Sequence, residues 1–264
     1  MGYYAIKFEQ IRQEKSMADL LDALVRGFKK FGINYYLVGA LARDVWMRGI
    51  KDTEVFNDLK KYLIKQEGFV PYSENSFVLI WKDKRQINLL PFGEIEQEGK
   101  VTVKGTGLTT INVDGFTEVY AAGLPEAQLE GSIRFKFCTL PGIVILKLIA
   151  WDDRPEIRRD DIIDISDILH HFFNIFDEMI WSQHNDLFDE GVELIEISAQ
   201  VLGREIGKIL NLNSKVRERV LGILSKNTSE PSNLGSIMTS YFQNDEAGNI
   251  KLLKRIKAGI KEIK

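Results

Sequence analysis

The run Tyr35-Tyr36-Leu37-Val38-Gly39-Ala40-Leu41-Ala42-Arg43-Asp44 constrains this chain most. It starts as an apolar strand, turns at Gly39 and continues by its pattern as a helix from Arg43 through Val45, Trp46 and Met47. Small residues at the turn, Gly39 and Ala40, let a second backbone or a phosphate come close. A helix starting there aims its first free N–H groups at the same point, which favours an anion. A tight strand-to-helix packing turn satisfies the same pattern, so both readings stand.

At 264 residues the chain has room for two domains. Its 44% hydrophobic and 28% charged residues are ordinary for a folded soluble protein. No apolar run reaches bilayer-spanning length, and residues 1–13 carry scattered charges with no signal-peptide core. The single cysteine, Cys138, has no internal disulfide partner, so a buried thiol and a cytoplasmic location are expected. A formal charge of −3 argues against a surface coated for nucleic acid but leaves room for a local basic patch.

Along the chain, residues 8–31 predict a helix, with Leu20, Leu21, Leu24 and Phe28 at helical spacing and Gly32 as its stop. After the opening motif a second helix is expected over residues 43–48. A third follows almost at once, with Asp52 as its N-cap and Val55, Leu59, Tyr62 and Leu63 as its buried stripe. An α/β alternation would place a strand between them. Residues 76–81 and 85–92 predict an antiparallel hairpin, and residues 101–103 and 109–113 short strands. Residues 116–120 and 132–139 also look extended. From Pro141 the pattern is helical: residues 143–151, 159–173, 188–202, 204–210, 214–224, and a basic amphipathic tail over 250–264. The expected class is α+β: a mixed sheet flanked by helices over residues 1–140, then an all-α domain over 141–264.

The order of three stretches resembles the nucleotidyltransferase superfamily, most closely its AbiEii-type branch from bacterial abortive-infection and toxin–antitoxin systems. The first is Tyr36 through Asp44. The second is Ile87-Asn88-Leu89-Leu90-Pro91-Phe92-Gly93-Glu94-Ile95-Glu96. The third is Leu146-Lys147-Leu148-Ile149-Ala150-Trp151-Asp152-Asp153-Arg154, continued by Arg158 to Ile165. The resemblance covers roughly residues 5–175 and implies transfer of a nucleotidyl group from a nucleoside triphosphate (NTP) to an RNA or protein acceptor. It implies Mg²⁺ as cofactor, since a hard cation held by carboxylates neutralises the phosphates and helps activate the acceptor hydroxyl. Gly39, Ala40, Arg43 and Asp164 are then expected at the substrate, Asn88 at the metal, and Lys147 and Asp161 in catalysis. A cleft between the two parts would take nucleotide and acceptor. The implied partners are an NTP, tRNA or a cognate antitoxin protein, with no membrane. The alternatives are a non-catalytic binding or partner protein of the same fold and an aminoglycoside-type enzyme acting on a small molecule.

The chain departs from that family twice. An Asp-x-Asp strand is expected between Ile50 and Asp52 and does not occur there. Either the sequence skips a segment or the protein lacks the strand. The first is favoured, because losing a central strand orphans backbone groups. A third account makes Asp52-x-Glu54 the metal pair, against its better reading as a helix cap. Asn88 stands where the family carries its third aspartate, and an amide brings neither charge nor basicity.

Other features carry less. His170 and His171 are adjacent and so face different sides of a helix, and His184 stands alone near a loop. Lys147 also fits as a snorkelling residue on an apolar helix, and Arg154 and Arg158 as ion-pair partners of Asp161 and Asp164.

Overall fold

The computed structural model describes residues 15–38, 44–104, 108–128, 134–189, 191–242 and 245–264. It divides into two units, Met1–Thr139 and Leu140–Lys264. The first is a mixed sheet with helices and the second is helical.

In the first unit, α1 (Lys15–Phe31) ends at Gly32, whose positive φ of 65° suits a residue without a Cβ. Two strands follow, β1 (Asn34–Val38) and β2 (Asp44–Arg48), antiparallel to each other. This corrects the helix expected over residues 43–48. Val45 and Met47 are buried in register with Leu37 and Tyr35, while Trp46 pairs with Tyr36 on the opposite face. Both faces offer apolar partners, so period-two burial wins over a helical pattern.

Next come α2 (Thr53–Glu67), β3 (Val70–Pro71), β4 (Val78–Ile80) and β5 (Gln86–Phe92). Asp52 caps α2, its Oδ1 accepting from the N–H groups of Glu54 and Val55 at 2.9 Å each. That is the capping role its sequence suggested. A separate two-stranded ribbon, β6 (Lys100–Lys104) and β7 (Leu108–Asn112), precedes α3 (Phe116–Ala121). Residues 116–120 are therefore helical rather than extended. Phe116 stacks on Trp46, and Tyr120 meets Tyr36 and Phe92, so packing overrides a β-leaning composition. The short β8 (Glu126–Gln128) and β9 (Arg134–Phe137) complete the unit.

The main sheet runs β3-β4-β5-β2-β1-β9-β8. The pairs β2–β5 and β1–β9 are parallel; the other pairings are antiparallel. β2 lies at the centre of the sheet, between β1 and β5. The sheet is continuous there, so the premise for a skipped segment, an orphaned central ladder, does not hold.

The second unit contains α4 (Leu140–Asp153), α5 (Arg159–Gln183), a 3₁₀ turn (Asn185–Leu187), α6 (Leu194–Leu210), α7 (Ser214–Lys226), α8 (Asn233–Phe242) and α9 (Glu246–Glu262). α5 runs beyond its expected end and departs from helical geometry at Phe176. The two helices expected over residues 188–202 and 204–210 are one, α6. Gly203 does not interrupt it, because that is where α9 crosses: a Cβ there would collide with the Ile256 carbonyl. Among the described residues no helix is long and apolar enough to cross a membrane.

Candidate functional site

The first unit gathers its candidate groups on the sheet face that carries α3. Strand register sets Asp44 beside Val38 on one side and Asn88 on the other. Gly39, Ala40 and Arg43, the expected substrate contacts, lie outside the described residues. Asp44 opens β2, and the alternate residue on the same strand is Trp46. An Asp-x-Asp pair works because alternate strand residues share a face. Here that second place holds an indole, 7% exposed and stacked on Phe116. The third place is Asn88, half-buried on β5.

Among the described side chains at these positions, neither Trp46 nor Asn88 is a carboxylate. Mg²⁺ in phosphoryl and nucleotidyl transfer takes carboxylate oxygens, whereas β2 offers the Trp46 ring and β5 the Asn88 amide here. Glu96, an acid on this side, is already engaged. Glu96 Oε1 accepts from the Gly93 N–H at 2.5 Å and from Thr117 Oγ1 at 3.4 Å. Burial lifts its carboxyl above the usual range, with the nearby Glu118 adding to the effect. Among the described residues no group of three or more His, Cys, Asp or Glu side chains is placed to hold a metal ion.

In the second unit the structure brings together three of the expected site residues. Lys147, on the apolar α4, projects its ammonium between Asp161 and Asp164 on α5. The distances are 2.8 Å to Asp161 Oδ1 and 2.5 Å to Asp164 Oδ2. The aspartates lie a turn apart on one helix face, so a single ammonium reaches both. Arg158 approaches the other oxygen of Asp161 at 3.5 Å. Burial works against the Lys147 charge, but the two carboxylate hydrogen bonds outweigh it and raise its pKa above the ordinary value. The lysine is thus neutralised by its own unit rather than presented as an open cation. An incoming phosphate would have to displace a carboxylate to use it.

Asp152 and Asp153, at the end of α4, pair with Arg219 of α7. Cys138 is buried, which pushes its thiol well up.

Sequence reasoning missed two residues. Trp46 was assigned to a helix. The signal available was the alternation of Val45 and Met47 with Asp44, Trp46 and Arg48, a strand pattern too short to decide by itself. His184, read as a lone polar residue near a loop, is 5% exposed. Its Nδ1 lies 3.0 Å from Arg204 Nη1. Arg204 also binds Asp186 at 2.8 and 2.5 Å and Glu262 at 2.5 Å. No local sequence feature announces this network, since its members are scattered over residues 184–262. Compared with known proteins, the chain matches no family model, no curated protein and no solved structure.

Proposed function

We propose that this is a nucleotidyltransferase-like protein that binds a nucleotide on its sheet face without carrying out metal-dependent transfer. The observation that carries the reading is Trp46. It takes the alternate position on β2 where a second metal-binding carboxylate would stand, and it is committed to packing against Phe116. Asn88 beside Asp44 supports the same conclusion, because an amide neither balances the charge of Mg²⁺ nor accepts the acceptor's proton. The nucleotide itself is inferred from the resemblance of the Tyr36–Asp44 and Ile87–Glu96 stretches.

The test is calorimetric titration with each NTP, with and without Mg²⁺, beside a label-transfer assay using tRNA and protein acceptors. Binding that does not require Mg²⁺, with no label transferred, is expected. Mg²⁺-dependent transfer by the unaltered chain would overturn the reading in favour of an active transferase. Absence of binding to every NTP would remove the nucleotide from it.

A further inference from the structure

A second candidate site lies away from the sheet face, between α1 and α2. A cavity of about 380 Å³ opens there, lined by Lys30 and Phe31 from the end of α1 and by Asp58, Lys61, Tyr62 and Lys65 from α2. That volume is at the small end of ligand-sized clefts. Lys61 and Lys65 stand a helical turn apart on α2, and Lys30 faces them from α1, so three ammonium groups rim one opening. Among the described lining residues the carboxylate is Asp58, which pairs with Lys61 at 3.0 Å between two well-exposed side chains, a weak contact that leaves the rim net positive. This positive spot belongs to a chain whose formal charge is −3.

The aromatic part of the cavity is held in place. Tyr62 donates its hydroxyl hydrogen to Glu67 Oε1 at 2.8 Å. Glu67 is in turn gripped by the Arg26 guanidinium, at 3.0 Å from Nε and 2.7 Å from Nη2. Phe31 meets the Tyr62 ring edge-on at 6.1 Å, and Lys30 Nζ lies 4.5 Å from the ring centroid. Tyr62 also packs on α1, its Cδ1 3.5 Å from where a Cβ at Gly27 would stand, beside Leu59 and Leu63. The result is a fixed ring with a cationic rim. That combination suits a planar base whose flanking phosphates reach the lysines.

We propose that the α1–α2 cleft binds a short tract of single-stranded nucleic acid, with one base against Tyr62 and the backbone phosphates on Lys30, Lys61 and Lys65. The site is independent of the sheet-face reading, and Asn88→Asp should leave it unaltered.

The experiment is fluorescence anisotropy of the full chain with a labelled oligouridine of about a dozen nucleotides, from 50 to 200 mM salt. The expected result is binding that weakens with salt at a log–log slope near −2, about 0.7 for each of three phosphates neutralised. Lys30→Gln/Lys61→Gln/Lys65→Gln should lower affinity at least tenfold and flatten that slope while melting like the parent. Tyr62→Leu should lower affinity about fivefold or more through lost stacking, and Tyr62→Phe, which keeps the ring but loses its Glu67 anchor, should fall between that variant and the parent. No binding at 50 mM salt would overturn the proposal, as would unchanged binding by the triple variant. Equal affinity for a duplex of the same length, or equal displacement by polyglutamate, would also overturn it in favour of a generic anionic surface.

Discussion

At the scale of single residues, two titratable side chains show how burial assigns roles. His184 is held below its ordinary pKa by burial first and then by the adjacent Arg204 charge. Arg204 can only donate, so Nδ1 must accept, and the proton of the neutral ring sits on Nε2, towards Glu205 at 3.8 Å. Lys208 and Asp186 also act on the ring, in opposite directions. The unfolded chain binds this proton more readily than the fold does. The contribution is therefore complete above the unfolded value, about 6.5, and is lost as pH falls through the lower folded value. Melting temperature should drop between pH 7 and pH 5, and His184→Gln should flatten that part of the profile; parallel slopes for parent and variant would refute the assignment.

Lys147 offers a second test at this scale. Lys147→Met leaves Asp161, mostly buried, facing Asp164 without the shared ammonium, and should cost about 1–3 kcal/mol. Asp164→Asn, on an exposed carboxylate, should cost about 0–1 kcal/mol. Urea denaturation of both variants gives the comparison, and a larger loss for Asp164→Asn would show that the ranking by burial is wrong.

At the scale of elements, the pairing of α6 with α9 depends on glycine. Gly203 and Gly259 let each helix backbone approach the other so closely that a Cβ at either position would strike main-chain atoms, Ile256 O and Gln200 O respectively. Gly203→Ala or Gly259→Ala should destabilise by about 1–3 kcal/mol or more, since backbone cannot move aside as a side-chain tip can. Gly222 in α7 is the control. A Cβ there meets nothing within 4 Å, so Gly222→Ala should stabilise by about 0.5–1 kcal/mol through helix propensity. Thermal melts of the three variants should separate with opposite signs. The same scale explains which elements were legible. The α2 start was readable because Asp52 supplies its own cap, and the β4–β5 hairpin because its alternation is flanked by turn residues. The β2 strand and α3 were misassigned because each is short. Their state follows from what covers them: Tyr36, Phe92 and Phe116 around Trp46 and Tyr120.

At the scale of the whole molecule, β2 is paired on both edges, and among the described residues no cluster of three or more His, Cys, Asp or Glu is placed to hold a metal ion. Dialysis against a chelator should leave the melting temperature unchanged. A fall of several degrees would reveal a structural metal and reopen the metal question at Asp44 and Asn88. The motif residues were visible in the sequence as types: Asn88 as an amide in an acid's place, Lys147 on an apolar helix, Asp161 and Asp164 a turn apart. Their relations were not. Amino-acid order by itself determined the amphipathic stripes, caps and turns, because those depend on neighbours a few residues away. Only the tertiary structure decided that residues 44–48 form a central strand, that Gly203 sits inside an unbroken helix, and that Lys147 is already claimed by two aspartates. Each of those outcomes depends on groups distant in the chain, which burial brings into contact and local preference cannot anticipate.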